Sequence, residues 1–251
     1  MSQLYDAIGV GYQQRRRPDP RLAAAIIRAL DDAETVVNVG AGAGSYEPSD
    51  RSVVAVEPAM TMIRQRRPDG APVVQASAND LPFRDEAFTA SLAILTVHHW
   101  LDQARGLAEL ARVARGRVVI VTWDPLWSGF WLVDDYFPEI TDLDRQIFPT
   151  IEDFQRTFGR IEVRSFPVPH DCIDGFMGAY WRRPHAYLDP SVRAAISAFA
   201  KAEPSWLESG LARLRRDLAD GTWERRHAHL FAQPELELGY RIVIAQAHAT
   251  A

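Results

Sequence analysis

Three glycines fall at alternate positions in the stretch VVNVGAGAGSYE, at Gly40, Gly42 and Gly44. A simple exit from a strand needs one glycine. Three at this spacing give a backbone that turns through positive φ and that a ligand can touch with no Cβ in between. Glu57 ends the run VVAVE a few residues later. If the two runs are neighbouring strands, its carboxylate stands at the same sheet edge as the glycines. There it can accept two hydrogen bonds from a ribose diol. A local use competes with that one, because Glu57 can also cap a helix opened by Pro58. The dinucleotide spacing G-x-G-x-x-G is not met: its third glycine falls on Ser45 counted from Gly40 and on Glu47 counted from Gly42. Gly44 to Ser52 is also too short for a full helix, and Pro48 interrupts it. A pyrophosphate seated on a helix N-terminus is therefore not expected.

The elements that must hold these residues are readable from hydrophobic pattern. LAAAIIRAL, Leu22 to Leu30, has helical spacing. Strands are expected at 35–39, 52–56, 72–76, 89–95 and 117–122, from β-branched or continuously apolar runs. Helices are expected after Pro58, in PAMTMIRQRR, and over 101–114. This alternation points to a mostly parallel sheet covered on both faces. Thr150 opens TIED in the manner of a capping box, for a helix to Phe158. A sixth strand follows at 161–168 and a seventh at 238–245, so the α/β fold is expected to carry seven strands. Between these last two lies a stretch of mainly helical pattern, with DPSVRAAISAFAKA and SWLESGLARLRRDL as its clearest pieces. The expected division is an N-terminal helical segment (1–34), a core (35–168 plus 235–251), and additions at 124–149 and 169–234 that cap one end of the sheet. A cap there gives a pocket at the strand C-termini its second wall.

The chain has 251 residues, 47% hydrophobic and 24% charged, with a net charge of −5. That balance offers no basic field for a nucleic acid backbone. The one cysteine, Cys172, excludes an internal disulfide and a cysteine-rich metal site, and no metal is expected. A reducing, cytoplasmic setting is the natural expectation. The opening MSQLYDAIGVGYQQRRR has no apolar run, so no signal peptide is expected; nowhere does an apolar run approach the ~20 residues of a membrane span, so none is expected. The basic clusters Arg15–Arg17 and Arg64, Arg66, Arg67 read as solvated.

VVNVGAGAGSYE, VVAVEP, ASANDLPF and FTASLAILTVHHW occur in the order and spacing of the class I S-adenosylmethionine (SAM)-dependent methyltransferases. The chain resembles them over roughly residues 5 to 123, most closely the branch of ubiquinone-pathway and natural-product enzymes. The resemblance implies a Rossmann-like fold, SAM as cofactor and a small-molecule methyl acceptor. It implies that Gly40, Ala41 and Gly42 face the methionine part of SAM, that Glu57 holds the ribose hydroxyls, and that Pro58 and Met62 border the adenine. It further places Ala78 and Asn79 at the adenine edge, Ile94 and Leu95 along the methionyl group, and Tyr12 in a segment closing over the cofactor. The chain departs from the family at Asn38, Ser77 and Thr89, where acidic residues are usual.

Methyl transfer needs a base only if the nucleophile must lose a proton. His98 and His99, in TVHHW after the fourth strand, are the candidates. Adjacent side chains are expected to diverge, leaving at most one facing a substrate. The additions are rich in rings, including Trp123, Trp127, Trp131, Phe176, Tyr180, Trp181 and Tyr187. Small-molecule pockets are commonly apolar and aromatic, so an aromatic or planar acceptor is expected. Arg182 or Arg183 could grip an acidic group, although arginines flanking a buried ring more often face solvent. The rival function is a SAM-binding protein that transfers no methyl group; a nicotinamide oxidoreductase is disfavoured by the missing third glycine.

Overall fold

The computed structural model describes residues 16–247. Helix α1, Pro20–Leu30, starts where Asp19 accepts the Arg21 amide and Pro20 takes the first position. Its buried face, Leu22, Ile26, Ala29 and Leu30, is the helical stripe that the sequence shows. Strands β1 (Thr35–Val39) and β2 (Ser52–Val56) follow. Helix α2 is only Met60–Ile63, and β3 only Val73–Val74. Next come β4 (Phe88–Ile94), a 3-10 turn at Val97–His99, α3 (Gln103–Val113) and β5 (Ala114–Trp123). The chain continues through a π turn at Leu132–Tyr136, α4 (Pro138–Ile147), α5 (Ile151–Phe158) and β6 (Ile161–Ser165). The capping box of α5 is formed by Thr150 and Asp153 as expected.

The main sheet has the order β3-β2-β1-β4-β5-β9-β6, with the last strand of the chain, β9 (Tyr240–Gln246), between β5 and β6. β2, β1, β4 and β5 pair in parallel; β9 runs antiparallel to both β5 and β6. This is the expected seven-stranded, mostly parallel sheet. Side chains of β1 alternate between its faces. Val36 packs with α1 and the capping region, while Val37 and Val39 pack with Leu107 and Leu110 of α3. The chain leaves β1 toward β2 on one side, and β4 pairs on the other. The crevice outside the end of β1 is thus a topological switch point, where open α/β sheets seat ligands.

Between β6 and β9 come the short pair β7 (Val168–Pro169) and β8 (Glu235–Leu236), which bracket α6 (Pro190–Ala194), α7 (Ser197–Ala200), α8 (Pro204–Ala219) and α9 (Thr222–His227). Trp181, Trp223, Tyr187, Tyr136 and Phe137 are fully buried here. The indole of Trp131 donates to the Trp181 carbonyl at 2.9 Å, and that of Trp181 to the Val168 carbonyl at 2.8 Å. These rings are packing rather than pocket wall.

Two expected helices differ. The one after Pro58 ends within about a turn, passing into tighter turns in which the Gln65 and Arg66 amides bond the Met62 and Ile63 carbonyls; beyond it, Arg66 pairs with Glu47. The one over 189–202 is broken at Ile196, which is extended (φ −113°, ψ 110°) and buried. Among the described residues no helix is long and apolar enough to cross a membrane.

Candidate functional site

A cavity of about 210 Å³ opens at the C-terminal ends of β1, β2 and β4. Gly40, Ala41, Gly42, Glu57, Pro58, Met62, Ala78, Asn79, Ile94 and Leu95 all line it. Tyr12 lies outside the described residues.

Glu57 takes up the local role at the start of α2 and adds a second one to the glycine loop. One carboxylate oxygen accepts the Ala59 amide at 2.9 Å, at the start of α2, and the other accepts the Gly42 amide at 2.8 Å. The residue is 6% exposed. Each carboxylate oxygen has two acceptor sites, so one per oxygen is left for a ligand. Burial raises its pKa; the Ala59 and Gly42 amides and the Arg66 charge act in the opposite direction.

The glycines have separate reasons. Gly40 has φ +72°, and a Cβ there would lie 2.1 Å from Thr96 Oγ1. Its missing side chain first accommodates Thr96. Gly42, at φ +54°, would meet only the flexible Met62 Cε, at 3.3 Å. Gly40→Ala is therefore expected to lose about 2–4 kcal/mol of stability from left-handed strain plus overpacking. Gly42→Ala should lose about 1–2 kcal/mol, from the strain alone. Urea denaturation of both variants checks this, and equal losses would contradict it.

Asn38 is 1% exposed and borders the same cavity. Its amide nitrogen donates weakly to Glu47, at 3.4 Å, while its Oδ1 is buried without a protein partner among the described residues. An orphaned acceptor at the head of a glycine loop fits a ligand that brings N–H donors. Glu47 is itself held by Arg66 at 2.7 Å, and both side chains are buried. The basic cluster around Arg66 is thus not uniformly solvated: Arg67 is exposed and Arg66 is a structural strut. The Asn79 side chain donates to the Asp102 carbonyl, which fixes its orientation at the cavity edge.

A second cavity of about 80 Å³ adjoins the first; Arg16, Leu95 and His99 border both. Leu95 has φ 49°, left-handed backbone that a bulky residue rarely adopts and that clusters at functional sites. The second cavity is walled by Trp123, Phe148, Phe176, Met177, Ile196 and Tyr240, with His98, His99, Asp144 and Ser197 as polar members besides Arg16. The break between α6 and α7 is what brings Ile196 into this wall.

The histidines do not diverge. The ring of His98 stacks on Phe148, centroids 3.9 Å apart and 19° from parallel, which holds it 3.8 Å from the His99 ring. Both border the second cavity. Burial, with a smaller contribution from His99, pulls the His98 pKa well down; burial brings that of His99 to about 3. Both are neutral at neutral pH.

Arg16 corrects another expectation. Its guanidinium pairs with Asp174 at 2.8 Å, and Tyr46 donates to the same carboxylate at 2.8 Å. It is a half-buried tie between the glycine loop and Asp174 rather than a solvated charge. Arg182 instead donates to the carbonyls of Phe231 and Gln233, and Arg183 to those of Cys172 and Ala179; neither lines either of these two cavities. Nothing in the sequence marks Asp144, Phe148 and Ile196 apart from ordinary helix residues.

A family model described as a methyltransferase domain matches residues 37–122. A candidate methyltransferase from an antibiotic biosynthesis pathway of Anabaena variabilis is 33% identical with a TM-score of 0.81, over 92% of this chain and 98% of that one. Geranyl diphosphate C-methyltransferase from Streptomyces coelicolor, crystallised with Mg²⁺, geranyl diphosphate and S-adenosyl-L-homocysteine, shares the fold at 15% identity. Its TM-score is 0.52, over 91% of this chain and 77% of that one. A tRNA (carboxymethyluridine(34)-5-O)-methyltransferase of Arabidopsis thaliana is 28% identical over 127 residues, 48% of this chain and 31% of that protein. The chain covers from 31% to 58% of the curated relatives it matches, less than two thirds of their length. S-adenosyl-L-methionine is the cofactor that this kinship implies, and the orphaned Asn38 oxygen, the open face of Gly42 and the spare acceptor sites of Glu57 fit it. With a near full-length relative at 33% identity and a TM-score of 0.81, the chain belongs to the class I SAM-dependent methyltransferases.

Proposed function

We propose that the protein transfers the methyl group of SAM to a small, planar acceptor held in the second cavity. The observation that carries this reading is the junction at Leu95 and His99, where a glycine-lined cavity meets an aromatic one. In this reading Gly40, Ala41 and Gly42 lie along the methionine portion, and Asn38 Oδ1 accepts from its ammonium. Glu57 takes the ribose diol on its two spare sites; Pro58, Met62, Ala78 and Asn79 border the adenine. Ile94 and Leu95 line the methionyl group.

SAM supplies an electrophilic methyl group that is already activated, so the chain's task is mainly alignment and exclusion of water. The rings of Phe148, Trp123 and Tyr240 position a flat acceptor, and the capping region shields the junction from solvent. His98 and His99, kept neutral, accept a hydrogen bond or proton from it. A His98→Ala, His99→Ala double variant is expected to lose about 10²-fold in turnover if that proton must leave. Undiminished turnover would reduce the pair to wall residues. The tRNA acted on by the Arabidopsis relative is not carried over, because a net charge of −5 disfavours a polyanion.

The test is incubation of a metabolite extract with methyl-labelled SAM, read by mass spectrometry. Label in a small planar compound supports the proposal. S-adenosylhomocysteine binding with no labelled small molecule would favour SAM binding without transfer.

A further inference from the structure

The second cavity holds one charged group with no partner of its own. Asp144 is 6% exposed and borders the cavity, and no hydrogen bond or ion pair to its carboxylate is present among the described residues. Lys201 acts on it only through longer-range charge. A buried carboxylate without a partner is costly unless a ligand pairs with it or it takes up a proton. The Phe148 amide bonds back to the Asp144 carbonyl at 2.8 Å, which places the two residues one turn apart at the end of α4. Phe148 is the ring that stacks on His98, so Asp144 stands beside the aromatic floor of the cavity.

The other ionisable groups around the cavity leave room for one positive charge. His98 and His99 are neutral. Arg16 is spent on Asp174. Tyr240 keeps its proton, its hydroxyl accepting the Gly178 amide at 3.1 Å. The faces of Trp123, Phe148, Phe176 and Tyr240 add the negative ring potential that attracts cations.

We propose that Asp144 selects the methyl acceptor: the cavity takes a flat aromatic molecule that carries a basic nitrogen, and the Asp144 carboxylate pairs with that nitrogen. The pairing is a charge-assisted hydrogen bond in a dry, ring-lined space, the setting in which such bonds are strongest. This rests on the second cavity being the acceptor site, as proposed above. It narrows the acceptor class from planar to planar and basic.

Calorimetry on the full chain saturated with S-adenosylhomocysteine tests it, with phenethylamine, 2-phenylethanol and phenylacetate as probes. The three share a ring and differ in charge. Phenethylamine is expected to bind at least about tenfold more tightly than the alcohol, with the acid weakest. Asp144→Asn should remove that preference while S-adenosylhomocysteine still binds, which shows the variant is folded. Equal binding, a reversed order, no binding of any probe, or an amine preference that survives Asp144→Asn would overturn the proposal. If S-adenosylhomocysteine does not bind, the cofactor reading fails by itself; the same titrations without it then decide the role of Asp144.

Discussion

Glu57→Ala is expected to weaken S-adenosylhomocysteine binding by roughly 10- to 150-fold, about 1.5–3 kcal/mol. The loss has two sources. The spare acceptor sites proposed for the ribose diol disappear. The Gly42 and Ala59 amides also lose their acceptor, and the glycine loop loses its tether to the end of β2. The same substitution should lower stability by about 1–3 kcal/mol, because a buried donor without a partner carries its full desolvation penalty. Calorimetry and urea denaturation separate the two. Full affinity in a destabilised variant would show that Glu57 only braces the loop.

Asp144 carries the second large effect, and it depends on pH. Burial pushes its pKa from 3.8 up to about 7, with the Lys201 charge opposing the shift. The pKa is raised in the folded state, so between about pH 4 and pH 7 the native protein keeps a proton that the unfolded chain has released. Stability therefore falls as pH rises through that window and levels off above pH 7. The full penalty is at most about 4 kcal/mol at 1.36 kcal/mol per pKa unit. Asp144→Asn should then be more stable than the parent above pH 7, with the gap closing toward pH 4. The neighbouring His98 and His99 remain neutral through the window, and Tyr240 remains protonated. Urea denaturation of both proteins at pH 4, 6 and 8 reads the gap; parallel stability curves would contradict this account.

The parts of the fold that were legible are those where local chemistry and tertiary demand agree. β1 and β2 occupy the residues their β-branched runs indicate, Thr35–Val39 and Ser52–Val56. Thr150 and Asp153 cap α5 because a capping box is a local device. The glycines and Glu57 were legible as a group because strand ends and spacing place them together. What the sequence concealed is long-range. Arg66 pairs with Glu47 nineteen residues away, and Arg16 finds Asp174 across 158 residues. Neither pairing leaves a trace in the local charge pattern. Gly40 reads as room for a ligand, yet the side chain that fills its space is Thr96. Asp144 sits in TDLDRQIF, among other acids and indistinguishable from them until the helix end is folded against β5 and α7.

The account depends on the glycine loop and Glu57 forming a seat for an adenosyl group. Direct calorimetric titration of the protein with S-adenosylhomocysteine, beside an identical titration with NADH, measures this. The account predicts saturable one-to-one binding of the first and none of the second. No binding of S-adenosylhomocysteine by the folded protein, or binding of NADH in its place, would contradict it.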